Sequence, residues 1–155
     1  MFALFQNIFI PEPVFVEALR FKRELGNYFK NHLIYYEADG KIIKKQFRDL
    51  GSDEFKLYTQ LQNPVTKFKQ IGRGESSVIA MAKFFGGIAV SSNYADVEQY
   101  AREYSIDHIG TDDVLSLAIQ LSVITEEEAK AIRDQIIANG GWLPNTFVIT
   151  NKYTI

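Results

Sequence analysis

Short apolar runs alternate along the chain with stretches whose apolar residues recur at helical spacing, the pattern of βα units. Ile8-Phe9-Ile10 reads as a short strand closed by Pro11, and Pro11-Glu12-Pro13 opens a helix at positions where proline is tolerated. That helix carries Val14, Ala18, Phe21, Leu25 and Phe29 as one stripe. Leu33 to Glu37 and Lys41 to Lys45 flank Asp39-Gly40, a dipeptide that favours a hairpin turn. Ser52-Asp53-Glu54 starts a shorter helix that Asn63-Pro64 ends.

Beyond residue 72 the periodicity is cleaner. Gly72-Arg73-Gly74-Glu75 leads into a helix with Val78, Met81, Ala82 and Phe85 on one face, stopped by Gly86-Gly87. Ile88-Ala89-Val90 reads as a buried parallel strand. Asn93 then caps a helix whose apolar face is Val97, Tyr100, Ala101 and Tyr104. Ile106 to Ile109 is a strand, and Gly110-Thr111 turns into a helix bearing Val114, Leu117, Ala118 and Leu121. Thr125-Glu126-Glu127-Glu128 is a capping box for a last helix with Ala129, Ile132 and Ile136 inward, ended by Gly140-Gly141. Residues 146–155 have strand composition. The pattern holds no repeat, low-complexity tract or linker, so residues 1–155 read as one α/β domain.

Composition narrows the function classes. With 155 residues, 46% hydrophobic and 14% aromatic, the chain can fill one core and is not globally disordered. It has no cysteine, which excludes disulfides, thiolate zinc sites and cysteine nucleophiles. The two histidines, His32 and His108, are too far apart in sequence to suggest a histidine-rich metal site. No apolar run is long enough to span a bilayer, and the residues from Met1 to Phe5 lack the pattern of a signal peptide. A soluble cytoplasmic protein without membrane contact is the expectation.

Charge divides the chain unevenly. Residues 1–73 carry 12 basic and 8 acidic side chains, net +4, whereas residues 74–155 carry 5 and 11, net −6. A polyanion facing the basic half and cations facing the acidic half fit this division, and so do two solvated faces that merely differ. In the basic half, Tyr35, Tyr36 and Phe47 are interleaved with Lys41, Lys44, Lys45 and Arg48, a mixture that suits phosphates and unpaired bases. An ordinary sheet with rings inward and lysines in water would show the same alternation.

Acidic residues recur just past strands and in first turns of helices, where an open α/β sheet places its ligands. Glu75, Asp96, Asp112 and Asp113 occupy such positions, and carboxylates gathered there would hold Mg²⁺ or Mn²⁺. Each also suits a helix N-terminus, where the dipole favours negative charge. Capping by Asn93 and Asp96 is the simpler account of that pair. The glycines of Gly72-Arg73-Gly74 lack the Gly-Lys-Ser/Thr that would make a P-loop, and no Gly-x-Ser-x-Gly elbow is present.

The order of motifs resembles the PIN-like domain family, in particular its uncharacterised prokaryotic members related to VapC-type toxin ribonucleases. The resemblance runs over most of residues 7–143. It rests on Ile8-Phe9-Ile10-Pro11 with Val14 and Glu17, on Gly72 to Ala82, on Gly87 to Asn93 through Tyr100-Ala101, and on Ile109-Gly110-Thr111 with the helix to Ile124-Thr125. It implies a three-layer α/β/α fold around a mostly parallel sheet. For active members it also implies an acidic cluster that binds Mg²⁺ or Mn²⁺ and cuts single-stranded RNA. On this resemblance Glu75, Asp112 and Asp113 are the expected catalytic residues, and Glu75, Asn93 and Asp112 the expected metal ligands. Lys44, Lys45, Arg48 and Arg73 are the expected RNA contacts.

Two departures stand out. The family's opening strand, which ends in an aspartate, has no counterpart in Met1 to Asn7, and Asn93 or Tyr94 falls where a second aspartate is usual. Losing two negative charges weakens a divalent site. The expected function is therefore a PIN-like nucleic-acid-interacting protein, either a toxin-type endoribonuclease with a depleted acidic site or an inactive binding module. An antitoxin-like protein or a second copy of the chain is an expected partner. Three accounts of the vacant place in the sheet compete: a natural depleted member, a fragment whose first strand belongs to another chain or was lost upstream, and the strand-like Phe147-Val148-Ile149-Thr150 of the tail 146–155 filling it.

Overall fold

The structure is a computed structural model, and it describes residues 3–20, 26–65 and 69–150. It is a mixed α/β fold with parallel strands and, among the described residues, seven helices. The chain begins with β1 (Phe9–Pro11) and α1 (Glu12–Leu19), and Pro13 sits in the first turn of α1 where its missing N–H costs nothing. Phe21 and Leu25, expected to continue this helix, lie outside the described residues, as does the side chain of Phe29.

The first correction falls on Asp39-Gly40. No hairpin forms there. Residues 26–38 make α2 (Gly26–Ala38), and Gly40, at φ +71°, ends it. The Lys41 amide donates to the Tyr36 carbonyl at 2.9 Å and the Gly40 amide to that of Glu37 at 3.1 Å, the paired bonds of a Schellman cap. The chain then enters β2 (Ile43–Lys45), which pairs parallel to β1 with Phe9 opposite Ile43 and Pro11 opposite Lys45. Phe15, Leu33 and Ile42 form a small core between α1, α2 and the start of β2.

The main core lies on α3 (Asp53–Gln62), α4 (Arg73–Phe85) and the following βαβ unit. Ser52 caps α3 by accepting from the Phe55 amide. That unit is β3 (Ala89–Val90), α5 (Tyr94–Glu103) and β4 (His108–Ile109), with Ala89 opposite His108 and Val90 opposite Ile109 in parallel register. Leu57, Leu61, Ile79, Ala80, Val97 and Tyr100 interlock there and are almost fully buried. Phe85, expected on the inward face of α4, is instead 41% exposed, because the helix rotates Ile79 and Ala80 into the core.

The chain closes with α6 (Thr111–Gln120) and α7 (Glu126–Ala138), the latter started by the expected capping box of Thr125 and Glu128. Leu117 and Ala118 pack against Leu4, whereas Leu121 is exposed. On α7 the inward residues are Ala129 and Arg133, with Ile132 left at the surface. Residues 146–150 form no strand and pair with no sheet, so the filling strand of the third account is not formed over the part described; residues 151–155 lie outside the described residues. No described helix is long and apolar enough to cross a membrane.

Candidate functional site

Parallel pairing of β3 and β4 sends the loops after both strands to the same side, which brings Ser91–Asn93 beside Gly110–Asp113. The Ser92 and Thr111 hydroxyls lie 2.6 Å apart, and a ring nitrogen of His108 lies 2.9 Å from the Ser91 carbonyl oxygen. A pocket of about 200 Å³ opens here, lined by Ser92, Tyr94, Thr111, Asp112 and Asp113 and closed on one side by residues from Leu143 to Thr150.

Asp113 is nearly buried and held from three directions. Its Oδ2 accepts from the Gly110 amide at 2.9 Å and from the Tyr94 hydroxyl, and its Oδ1 accepts from the Thr150 hydroxyl at 3.1 Å. The Tyr94 ring reaches this place only because residue 110 is glycine: a Cβ there would stand 2.4 Å from Cε2 of the ring. Burial, then the Asp113 carboxylate, push the Tyr94 phenol well above its ordinary pKa, so it stays a hydrogen-bond donor.

Asp112 faces the other way and forms a nearly buried ion pair. Arg133 Nε donates to its Oδ1 at 2.8 Å and Arg133 Nη2 to its Oδ2 at 3.2 Å, while Nη2 also donates to the Pro144 carbonyl at 2.5 Å. Glu75, in the first turn of α4, accepts from Asn93 Nδ2 at 3.3 Å. The same nitrogen donates to Asp96 Oδ2 at 2.9 Å, and Asp96 Oδ1 meets Lys69 Nζ at 2.6 Å. The Lys69 hydrogen bond is the main cause that holds the Asp96 carboxyl below its ordinary pKa. Asn93 thus turns its amide nitrogen, not its oxygen, to both acids, and it makes no side-chain cap bond to α5.

Among the described residues no three His, Cys, Asp or Glu side chains gather where a metal ion could be held. The carboxylates are turned to protein donors instead of a shared point, so the described arrangement does not fit Mg²⁺ or Mn²⁺. Glu75, Asn93, Asp112 and Asp113 lie along one edge of the fold without forming a ligand set.

Three of the four expected RNA contacts, Lys44, Lys45 and Arg48, lie elsewhere. Lys45 Nζ sits 5.7 Å from the Phe9 ring and 4.5 Å from that of Phe85, and Arg48 Cζ lies 5.9 Å from the Phe85 ring. Lys44 Nζ lies 5.3 Å from the Phe15 ring. Phe85 ends α4 and Glu75 opens it, so ten residues at a rise of about 1.5 Å separate the two groups by about 15 Å. Arg48 has a structural task as well: its Nε and Nη2 each donate at 2.7 Å to the fully buried Glu54 carboxylate, whose pKa falls to about 2. Arg73 stands at the Glu75 end of α4 and donates to the Tyr58 hydroxyl at 3.3 Å.

Tyr94, Arg133 and Thr150 escaped the sequence reading as partners of the acidic edge. A single arginine on the inward face of α7 was the one available signal.

The fold is a mixed α/β one with parallel strands, and the candidate carboxylates lie beyond the ends of β3 and β4, where such sheets place their ligands. The family model DUF3368, described as a PIN domain, matches residues 1–151, and the chain belongs to that family. Membership carries the family's general character, a nuclease-like domain that interacts with nucleic acid. No curated protein and no solved structure matches the chain.

Proposed function

We propose that this PIN-domain protein binds single-stranded RNA across the surface formed by Phe9, Lys45, Phe85 and Arg48. The observation that carries the reading is the exposure of Phe9 and Phe85, 53% and 41%, with cations held over their rings. Exposed rings offer stacking faces to unpaired bases, and the neighbouring cations attract the phosphates between them. A duplex keeps its bases stacked inside and offers the rings nothing. The toxin-type, Mg²⁺- or Mn²⁺-dependent endoribonuclease expected from the resemblance would need the carboxylates of the acidic edge turned from their protein donors toward a shared point.

Fluorescence anisotropy with a labelled single-stranded oligoribonucleotide tests the reading. Phe85→Ala should weaken binding by about 1–3 kcal/mol, the worth of one stacked base. Lys45→Ala should lower the slope of log affinity against log salt by about 0.7, one phosphate contact on a single strand. Unchanged affinity in Phe85→Ala, or equal binding of a duplex of the same length, would sink the proposal.

A further inference from the structure

β1 and β2 end together, with Pro11 opposite Lys45, and the next residue after each strand meets the other at the surface. Gln46 Nε2 donates to Glu12 Oε1 at 2.8 Å, a bond between residues 34 positions apart that ties the first turn of α1 to the end of β2. Lys45, the residue before Gln46, holds its Nζ 4.5 Å from the Phe85 ring and 5.7 Å from that of Phe9. One backbone step, about 3.3 Å in a strand, leads from Lys45 to Gln46, so the polar pair adjoins the exposed rings. A carboxylate beside the path of a polyanion repels its phosphates, and only a ligand that brings donors to it offsets that cost.

We infer that Glu12 and Gln46 together select guanine in a single strand stacked on Phe9 and Phe85, an inference that rests on the RNA surface proposed above. The Gln46 amide nitrogen carries two N–H groups, and Glu12 takes one of them. The second N–H, then Oε1, then Oε2 of Glu12 form a row of donor, acceptor, acceptor. Bases in a single strand are read on their Watson–Crick edges, and that of guanine presents the complement: the O6 acceptor, the N1–H donor and the N2–H donor. Uracil matches the first two places but sets its O2 against Oε2. Cytosine and adenine place a bare ring nitrogen against Oε1 whichever way they turn. Guanine alone brings two donors to the carboxylate, so the charge that deters other bases holds this one. Lys45 supplies the neighbouring phosphate contact, and the Phe85 ring stacks without regard to sequence.

The test is fluorescence anisotropy on the full chain with a labelled uridine tract that carries one central guanosine, inosine or cytidine. The guanosine strand should bind about tenfold more tightly than the cytidine strand, within what one good bidentate base contact supplies. Inosine lacks the N2 amino group and should lose part of that factor. Glu12→Gln replaces one carboxylate oxygen by an N–H₂ group and should bring the three strands to one affinity. Gln46→Met removes the donor to O6 and should narrow the gap between guanosine and cytidine. Phe85→Ala should weaken all three strands alike and keep their ratio. Equal affinity of the guanosine and cytidine strands, with Phe85→Ala still weakening both, overturns the guanine selection and leaves the RNA surface standing. A guanosine preference that survives Glu12→Gln overturns the selection by this pair. No binding of any strand overturns the surface and the selection together.

Discussion

Arg133→Met probes the acidic edge most directly. Methionine keeps an unbranched stem on the inward face of α7 but removes two hydrogen bonds to Asp112 and one to the Pro144 carbonyl. The Arg133 side chain is 7% exposed and that of Asp112 17%, so the carboxylate is left nearly buried without its partner. Breaking a buried pair from one side costs about 3–5 kcal/mol. Water reaches Asp112 through its residual exposure, which puts the expectation at the lower end, about 3 kcal/mol. With a urea m-value of roughly 1.5–2 kcal/mol/M, that loss lowers the unfolding midpoint by roughly 1.5–2 M. Adding Asp112→Leu should recover most of it, because two apolar groups replace the pair and no buried charge remains. A midpoint shift below about 0.5 M at unchanged m-value would refute the reasoning, since a carboxylate so easily left alone would not be held by Arg133.

Three further outcomes follow from other parts of the fold. Gly110→Ala drives a Cβ into the Tyr94 ring and should cost about 1–3 kcal/mol, lowering Tm by several degrees; an unchanged Tm means the ring does not lie there. The Glu54 carboxyl, drawn down from 4.5 to about 2 by Arg48, contributes stability above its unfolded value and loses it as pH falls toward 2. Glu54→Gln should therefore flatten the acid limb of a stability-against-pH curve, and a limb of unaltered slope contradicts the pairing. Leu61→Ala, at a site 1% exposed, should cost about 2–5 kcal/mol in urea unfolding, against less than about 0.5 kcal/mol for Leu50→Ala at 78% exposure.

The helices and strands between residues 72 and 141 could be read from the chain because local signals agreed there. The capping box at Thr125, the Gly140-Gly141 stop and the stripe of Val97, Tyr100 and Ala101 all survive in three dimensions. The Asp39-Gly40 signal was real but ambiguous: a glycine in the left-handed region serves a helix end as well as a hairpin. Leu33 to Tyr36, apolar and aromatic, have strand-like composition, and only packing of Leu33 on Phe15 and Ile42 decides for the helix. The candidate acids were found by position, but their partners were not. Arg133 lies 21 residues from Asp112 and Thr150 lies 37 from Asp113, and no local pattern encodes such pairings.

Leu4 sets a condition on the order of events during synthesis. Its partners, Leu117 and Ala118, stand on α6, more than a hundred residues downstream. On a chain emerging N-terminus first, Leu4 stays unpaired until α6 has been made, while α3, α4 and the βαβ unit can already close the main core around Leu61 and Ile79. The small cluster around Leu4 is therefore a late latch, closed across a long loop after the central core exists. A bulky fusion beside Leu4 would press on that latch, whereas the core around Leu61 would form regardless.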